Sequence, residues 1–315
     1  MIMNSTSEVP PAVYEAIRPS LLSWISDEKL ALFLPIIAYW TSSLIFHAFD
    51  QYELMEKYRI HTPEELLKRN KCTVGEVVRA VLLQHFVQTM AGFGLNYFEP
   101  PQKTGHEAYE MWRLSKNFGL SPAAAYFVYY WVMPFCKICL GFFIMDTWQY
   151  MLHRLMHNNK TLYKHLHSVH HRLYVPYAFG ALYNSVIEGF LLDTLGAGLA
   201  STVTSMTARE AIIFYTFSTL KTVDDHCGYE IPWDPFQILF PNNSVYHDIH
   251  HQSFGIKTNF SQPFFVHWDQ LFNTRYPKTN AYIAEQKRIR LEKYYAKKAA
   301  NNGQAPEKVE DKKTQ

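Results

Sequence analysis

Nine of the fifteen histidines in the chain recur at a short, repeated spacing. "HRLMH" carries His153 and His157, "HSVHH" carries His167, His170 and His171, "DHCGYE" carries His226, and "HDIHH" carries His247, His250 and His251. Residues three and four apart share one face of a helix, so each pair or triple aims its imidazoles into one volume. Neutral imidazole is a good ligand for zinc, iron and copper. Nine such ligands are more than one four- to six-coordinate ion can use, so two metal ions are the natural count. A rival use for the clusters is pH sensing. His47, His61, His85 and His106 have no spaced partners and read as surface or satisfied core residues. His165 and His267 lie close to the boxes but off the spacing, and read as supporting or surface residues.

The elements that must position these boxes are apolar and long. "LALFLPIIAYWTSSLIFHAF", Leu30 to Phe49, has no formal charge, and its length suits a bilayer's hydrocarbon core. Val77 to Phe98 is a weaker span, interrupted by Arg79 and His85. Pro122 to Met145 is long and aromatic, with Pro134 as a kink and Lys137 as its one charge. Ala178 to Ala200 and Ala211 to Leu220 flank a short polar stretch and read as a helical hairpin, although Glu188 and Asp193 interrupt it. If the boxes on either side of this hairpin share a site, the chain between them crosses the membrane an even number of times, or dips in and returns. From Lys278 onward the sequence reads as a short helix that frays into a charged tail.

The expected fold is all-α: a polytopic membrane protein with about four or five embedded helices under a cytosolic, histidine-rich helical cap. It divides into an N-terminal segment 1–29 expected on the luminal side, transmembrane helices over 30–145, a catalytic domain over 146–274 with its hairpin near 178–220, and a charged cytosolic tail over 275–315. Thirty Lys and Arg against twenty-eight Asp and Glu leave a formal charge of +2, which argues against nucleic acid as a partner. Four scattered cysteines form no disulfide framework, and Cys136 and Cys139 of "CKIC" read as small buried packing residues. No cleavable signal peptide is visible, so the first span would insert the chain.

HxxxH and two copies of HxxHH, with the histidine of "DHCGYE" and the closing "NFSQPFFVHWDQLFNT", resemble the membrane-bound fatty acid hydroxylase superfamily over Asp146 to Thr274. That superfamily includes sterol desaturases and sterol methyl oxidases. Within it, "DTWQYMLHRLMHNNKTLYKHLHSVHH" and "TVDDHCGYEIPWDPFQILFPNNSVYHDIHHQSFG" look most like the fungal sphinganine 4-hydroxylases. The resemblance implies a cytosol-facing di-iron site, with zinc able to replace iron in a purified sample. It implies a monooxygenase that uses O2 and two electrons to hydroxylate carbon 4 of sphinganine, or of the base within dihydroceramide. The nine boxed histidines take the ligand positions. Some relatives carry a further histidine where this chain has Glu230, which leaves Glu230 as a ligand, a hydrogen-bond acceptor or neither. Asp146, Asp225, Asp248 and Asp269 stand near the boxes and can orient imidazoles by accepting their second N–H, or lie on the surface.

The chain shows no haem-type motif, so the resemblance implies an external donor: cytochrome b5 and its NADH- or NADPH-dependent reductase. The cationic stretch from Lys287 to Lys298 suits either an acidic donor or a membrane surface. Lys312 and Lys313 resemble the dilysine retrieval signal of the endoplasmic reticulum membrane. A sterol or fatty acyl substrate with the same chemistry is the alternative, and a metal transporter or store is a remote one that calls for ligands inside the spans. With three crossings before His153, Asn4 should be the only one of the sequons at Asn4, Asn159, Asn242 and Asn259 to gain glycan. A glycosidase-sensitive mass shift that survives Asn4→Gln contradicts this topology.

Overall fold

The computed structural model describes residues 9–302, so Asn4 and the Lys312 and Lys313 pair lie outside the described residues. Helix α1, Asp27–Gln51, starts where the Ser26 hydroxyl accepts the Lys29 N–H. Helices α2, Pro63–Arg69, and α3, Val74–Phe98, each begin with a capping box, from Thr62 with Glu65 and from Thr73 with Glu76. Both boxes satisfy N–H groups that a helix start leaves without partners. Helix α4, Glu107–Phe118, ends at Gly119, whose φ of 64° is the left-handed conformation that stops a helix.

Helix α5, Pro122–Asn158, is one element of 37 residues. A wide π-turn over Val128–Val132 lies just before Pro134, where the missing N–H breaks the regular ladder, so the expected kink takes this form. The hydropathy pattern ends near Met145, but the helix continues, because its later turns bury one polar face that carries Asp146, His153 and His157. His153 stands 31 residues past Pro122, about 47 Å along the axis and beyond the roughly 30 Å of a hydrocarbon core entered at Pro122. Lys137 is neutralised on the helix flank by Glu210 Oε2 at 3.3 Å. Cys136 and Cys139 are not buried as the sequence suggests; both are free and sit on the exposed side of α5.

The hairpin consists of α6, Val186–Val203, and α7, Ala208–Asp225. Its first arm starts later than the apolar run, because Ala178–Leu182 forms a 3-10 turn packed under Tyr39, Val77 and Val81. Tyr39 donates its hydroxyl to the Phe179 carbonyl at 2.6 Å, tying that turn to α1. Among the described residues, three helices are long and apolar enough to cross a membrane: α1, α5 and α6. α3 and α7 run beside them, and α6 approaches α3 so closely that a Cβ at Gly189 would fall 1.9 Å from Gln84 Nε2.

The cap comprises residues 160–172, helix α8, Pro235–Leu239, helix α9, Ser244–His251, and the loop that leads into α10, His267–Leu271. Two carboxylates shape that loop. Asp146 accepts the N–H groups of Phe264 and Phe265, each at 2.9 Å. Asp269 accepts from Phe260 N–H at 3.0 Å, Ser261 N–H at 2.8 Å and the hydroxyls of Tyr246 and Thr274 at 2.8 and 2.6 Å. The final helix, α11, Thr279–Asn301, is longer than the expected short fraying piece because it docks on the cap. Arg290 holds Glu230, and Lys293 and Lys297 reach Glu65 and Glu53, so part of the cationic stretch is spent within the chain. Asp269→Ala should strand four donors and cost about 3 kcal/mol or more. Thermal unfolding in detergent checks this, and an unchanged midpoint contradicts it.

Candidate metal centre

All nine boxed histidines are buried, and they fall into two sets. His153, His157, His167, His171 and His250 form one, and His170, His226, His247 and His251 the other; within each, one nitrogen per ring lies within 4.8 Å of all the rest. α5 supplies His153 and His157, one turn apart. The short turns over 160–172 split their three boxed histidines between the sets, because His170 and His171 are adjacent and point to opposite neighbours. α9 does the same with His247, His250 and His251.

Hydrogen bonds at the far side of the rings define the chemistry. His153 Nδ1 faces the carbonyl of Phe260 at 2.8 Å, His170 that of Tyr183 at 3.2 Å and His226 that of Thr222 at 2.9 Å. His250 and His251 face the carbonyls of Thr258 and Leu173 at 2.7 and 2.6 Å, and His167 faces the Glu188 carboxylate. A carbonyl or carboxylate only accepts, so Nδ1 carries the proton in these six rings and Nε2 is left with its lone pair. Yet the Nε2 atoms converge. His153 and His167 bring theirs to 3.0 Å, and His226 and His170 to 3.5 Å. Neither nitrogen of such a pair has a hydrogen to share.

These contacts fit a shared cation. For a metal–nitrogen bond of about 2.1 Å, neighbouring ligand nitrogens stand about 3.0 Å apart in an octahedron and about 3.4 Å in a tetrahedron. The Nε2 contacts along the two sets run 3.0, 3.2, 3.1 and 3.1 Å in the larger and 3.5, 3.0 and 3.0 Å in the smaller. Burial, reinforced by neighbouring imidazoles, holds His170 at about 4 and His226 at about 3, and puts His167, His171, His247, His250 and His251 well below the usual imidazole range. At neutral pH these rings are therefore neutral imidazoles able to ligate a metal, rather than cations.

The acidic residues flagged by the sequence act differently from one another. Among the described residues, none of the four aspartates takes an N–H from the nine rings. Asp146 and Asp269 hold the loop whose Phe260 carbonyl orients His153, Asp225 pairs with Lys221 and Asn242, and Asp248 accepts from Gln252 and His61. Backbone carbonyls took the role expected of them, since these lie closer to the rings. Glu230 belongs to neither set and binds Arg290 at 2.5 Å. His165 is exposed and His267 stacks on Phe143, both off the centre. The residue missed is Glu188, fully buried and in contact with His167. Its signal was present, because a carboxylate within an apolar membrane stretch points to a functional site.

Helices embedded in a membrane under a cap with two sets of convergent, neutral imidazoles define a class: integral-membrane proteins built around a histidine metal centre. Residues 138–274 match the family described as Fatty acid hydroxylase. The chain is 56% identical over 286 residues to Sphingolipid C4-hydroxylase SUR2 of Saccharomyces cerevisiae, covering 90% of this chain and 82% of that one. It is 45% identical to Sphingolipid C4-hydroxylase sur2 of Schizosaccharomyces pombe, over 85% of this chain and 94% of that one. It is 44% identical to Sphinganine C4-monooxygenase 2 of Arabidopsis thaliana, over 80% of this chain and 90% of that one. Methylsterol monooxygenases match at lower identity. This chain belongs to the fatty acid hydroxylase family, as the resemblance of its histidine boxes led one to expect. No solved structure matches it.

His61, read from sequence as a satisfied bystander, is satisfied by a residue of the ligand helix. Its Nε2 meets Asp248 at 2.8 Å and its Nδ1 meets Glu65 at 3.1 Å. Burial opposes its charge, but the two carboxylates outweigh burial and raise its pKa to about 9. A folded pKa above the ordinary 6.5 means that this pairing stabilises fully below about pH 6.5 and is lost as pH rises through about 9. His61→Ala should therefore unfold well below the wild type at pH 6, with the gap narrowing by about pH 9.5. Thermal unfolding at the two pH values checks this, and a gap independent of pH contradicts it.

Proposed function

We propose that this chain hydroxylates carbon 4 of sphinganine, or of the base within dihydroceramide, giving phytosphingosine-type products in sphingolipid biosynthesis. The observation that carries the reading is the pair of neutral imidazole sets, in a chain whose relatives are sphingolipid C4-hydroxylases and sphinganine C4-monooxygenases. The larger set would hold one ion and the smaller set a second, with iron as the metal of the active enzyme and zinc able to occupy a purified sample. Such a pair would supply the binding of O2 and the oxidising power that converts an unactivated C–H bond into C–OH.

The chain's own residues do the rest. Neutral rings leave the charge of both ions uncancelled, which favours reduced oxygen species at the centre. The Nδ1–H bonds to Phe260, Tyr183, Thr222, Thr258 and Leu173 fix ring direction. Burial of all nine rings keeps bulk water away from them. The exposed apolar sides of α3 and α5, with Leu82, Phe86, Phe135 and Leu140, suit a lipid-embedded body from which an alkyl chain reaches the centre. Electrons would come from NAD(P)H through cytochrome b5 and its reductase, docking on the cytosolic face of the endoplasmic reticulum membrane.

Expression in yeast that lacks 4-hydroxylated bases, read by lipid mass spectrometry, should restore them. Absence of these bases with the protein present in the membrane turns the reading toward a sterol substrate. His170→Ala and His250→Ala should each abolish the product and lower bound metal below two ions per chain, while Glu230→Ala, which loses only its Arg290 pair, should keep both ions.

A further inference from the structure

A narrow cleft lies against the two histidine sets, lined by His167, His170, His226 and His247 together with Gln149, Glu188 and Asp193. Two of its carboxylates, Glu188 and Asp193, come from α6, a helix apolar enough to cross the membrane. Glu188 is 0% exposed; its Oε1 contacts His167, while its Oε2 has no hydrogen-bond donor among the described residues. Asp193 Oδ1 accepts Gln149 Nε2 at 3.2 Å, and Asp193 Oδ2 likewise has no donor. A buried acceptor without a donor is costly, and two beside one cleft call for a ligand that brings donors.

The helix is shaped for this arrangement. Phe190–Thr194 is a π-turn that begins two residues after Glu188 and contains Asp193. In a regular helix, residues five apart point about 140° away from one another, whereas a wide turn with i→i+5 bonds brings them toward one face. Glu188 and Asp193 consequently line the same cleft.

Resting on the hydroxylase reading above, we propose that this cleft is the headgroup pocket for a long-chain primary amine, with Asp193 receiving the ammonium group and the free oxygen of Glu188 receiving the neighbouring hydroxyl. In sphinganine the amine is on carbon 2 and a hydroxyl on carbon 3, so the nitrogen and the oxygen lie three and two bonds from the carbon to be oxidised. Their receptors must then stand directly beside the metal centre, where Glu188 and Asp193 are. A sterol or a fatty acyl chain brings no cation to that place. Glu188 touches a ligand histidine as well, so its position links headgroup to centre; Asp193 touches none of the nine rings and carries the cleaner test.

The test uses the full chain, purified in detergent with metal bound, and two probes of equal chain length, octadecylamine and octadecanol. The wild type should be stabilised against heat by the amine at concentrations at least about tenfold lower than by the alcohol, and Asp193→Asn should erase that preference. With sphinganine as substrate, Asp193→Asn should raise KM at least about tenfold, by a larger factor than it lowers kcat, with two metals retained. Equal stabilisation of the wild type by the two probes overturns the proposal, whether or not the variant can be purified. So does an Asp193→Asn protein that keeps the amine preference or loses kcat alone. Failure of the wild type to hydroxylate sphinganine while preferring the amine would instead overturn the substrate assignment and leave the pocket standing.

Discussion

Six imidazole N–H groups held by fixed acceptors set the terms for the rest of the structure. Once Nδ1 of His153, His167, His170, His226, His250 and His251 is committed as a donor, every Nε2 of these rings presents a lone pair to its neighbours. Lone pairs about 3 Å apart in a buried volume repel, and protonation, which would relieve them, is opposed by that same burial. A metal cation held between them would resolve the conflict. The acceptors come from Leu173, Tyr183, Thr222, Thr258 and Phe260, carbonyls scattered over the catalytic half of the chain. The centre is therefore a property of the folded cap and not of any one box.

Two features of the scaffold follow from that requirement. The first is rigidity at the loop that carries Phe260, which Asp269 and Asp146 hold through backbone N–H groups. The second is the length of α5, which leaves the apolar zone and still presents His153 and His157 on one buried face. A single continuous helix thus connects the lipid-facing body to the metal-facing cap. α6 packs along α5 and brings carboxylates up to the cleft beside the histidines, where its π-turn keeps Glu188 and Asp193 together.

Much of this was legible in the sequence, for identifiable reasons. HxxxH and HxxHH encode part of their own geometry, so the i, i+4 pairs His153 with His157 and His247 with His251 were legible without a fold, while His250 joins the other set. Apolar runs long enough to cross a bilayer marked α1 and the first two-thirds of α5. The division of nine rings into five and four was not legible, because His170 and His171 are neighbours in sequence and belong to different sets. Nor were the acceptors, since a backbone carbonyl has no residue signature; the aspartates nearby were the natural guess, and they bind loop N–H groups, Lys221 and His61 instead. Glu188 and Asp193 looked like blemishes in a membrane span. Their meaning depends on a π-turn and on the return of the chain beneath the cap, both of which are long-range consequences of packing.

Metal stoichiometry combined with X-ray absorption at the metal edge tests the central claim most directly. Full-length protein purified without chelators should contain two ions per chain, each surrounded by nitrogen at about 2.1 Å with no sulfur. Folded wild-type protein that holds a single ion, or none after exposure to ferrous iron, would contradict the account.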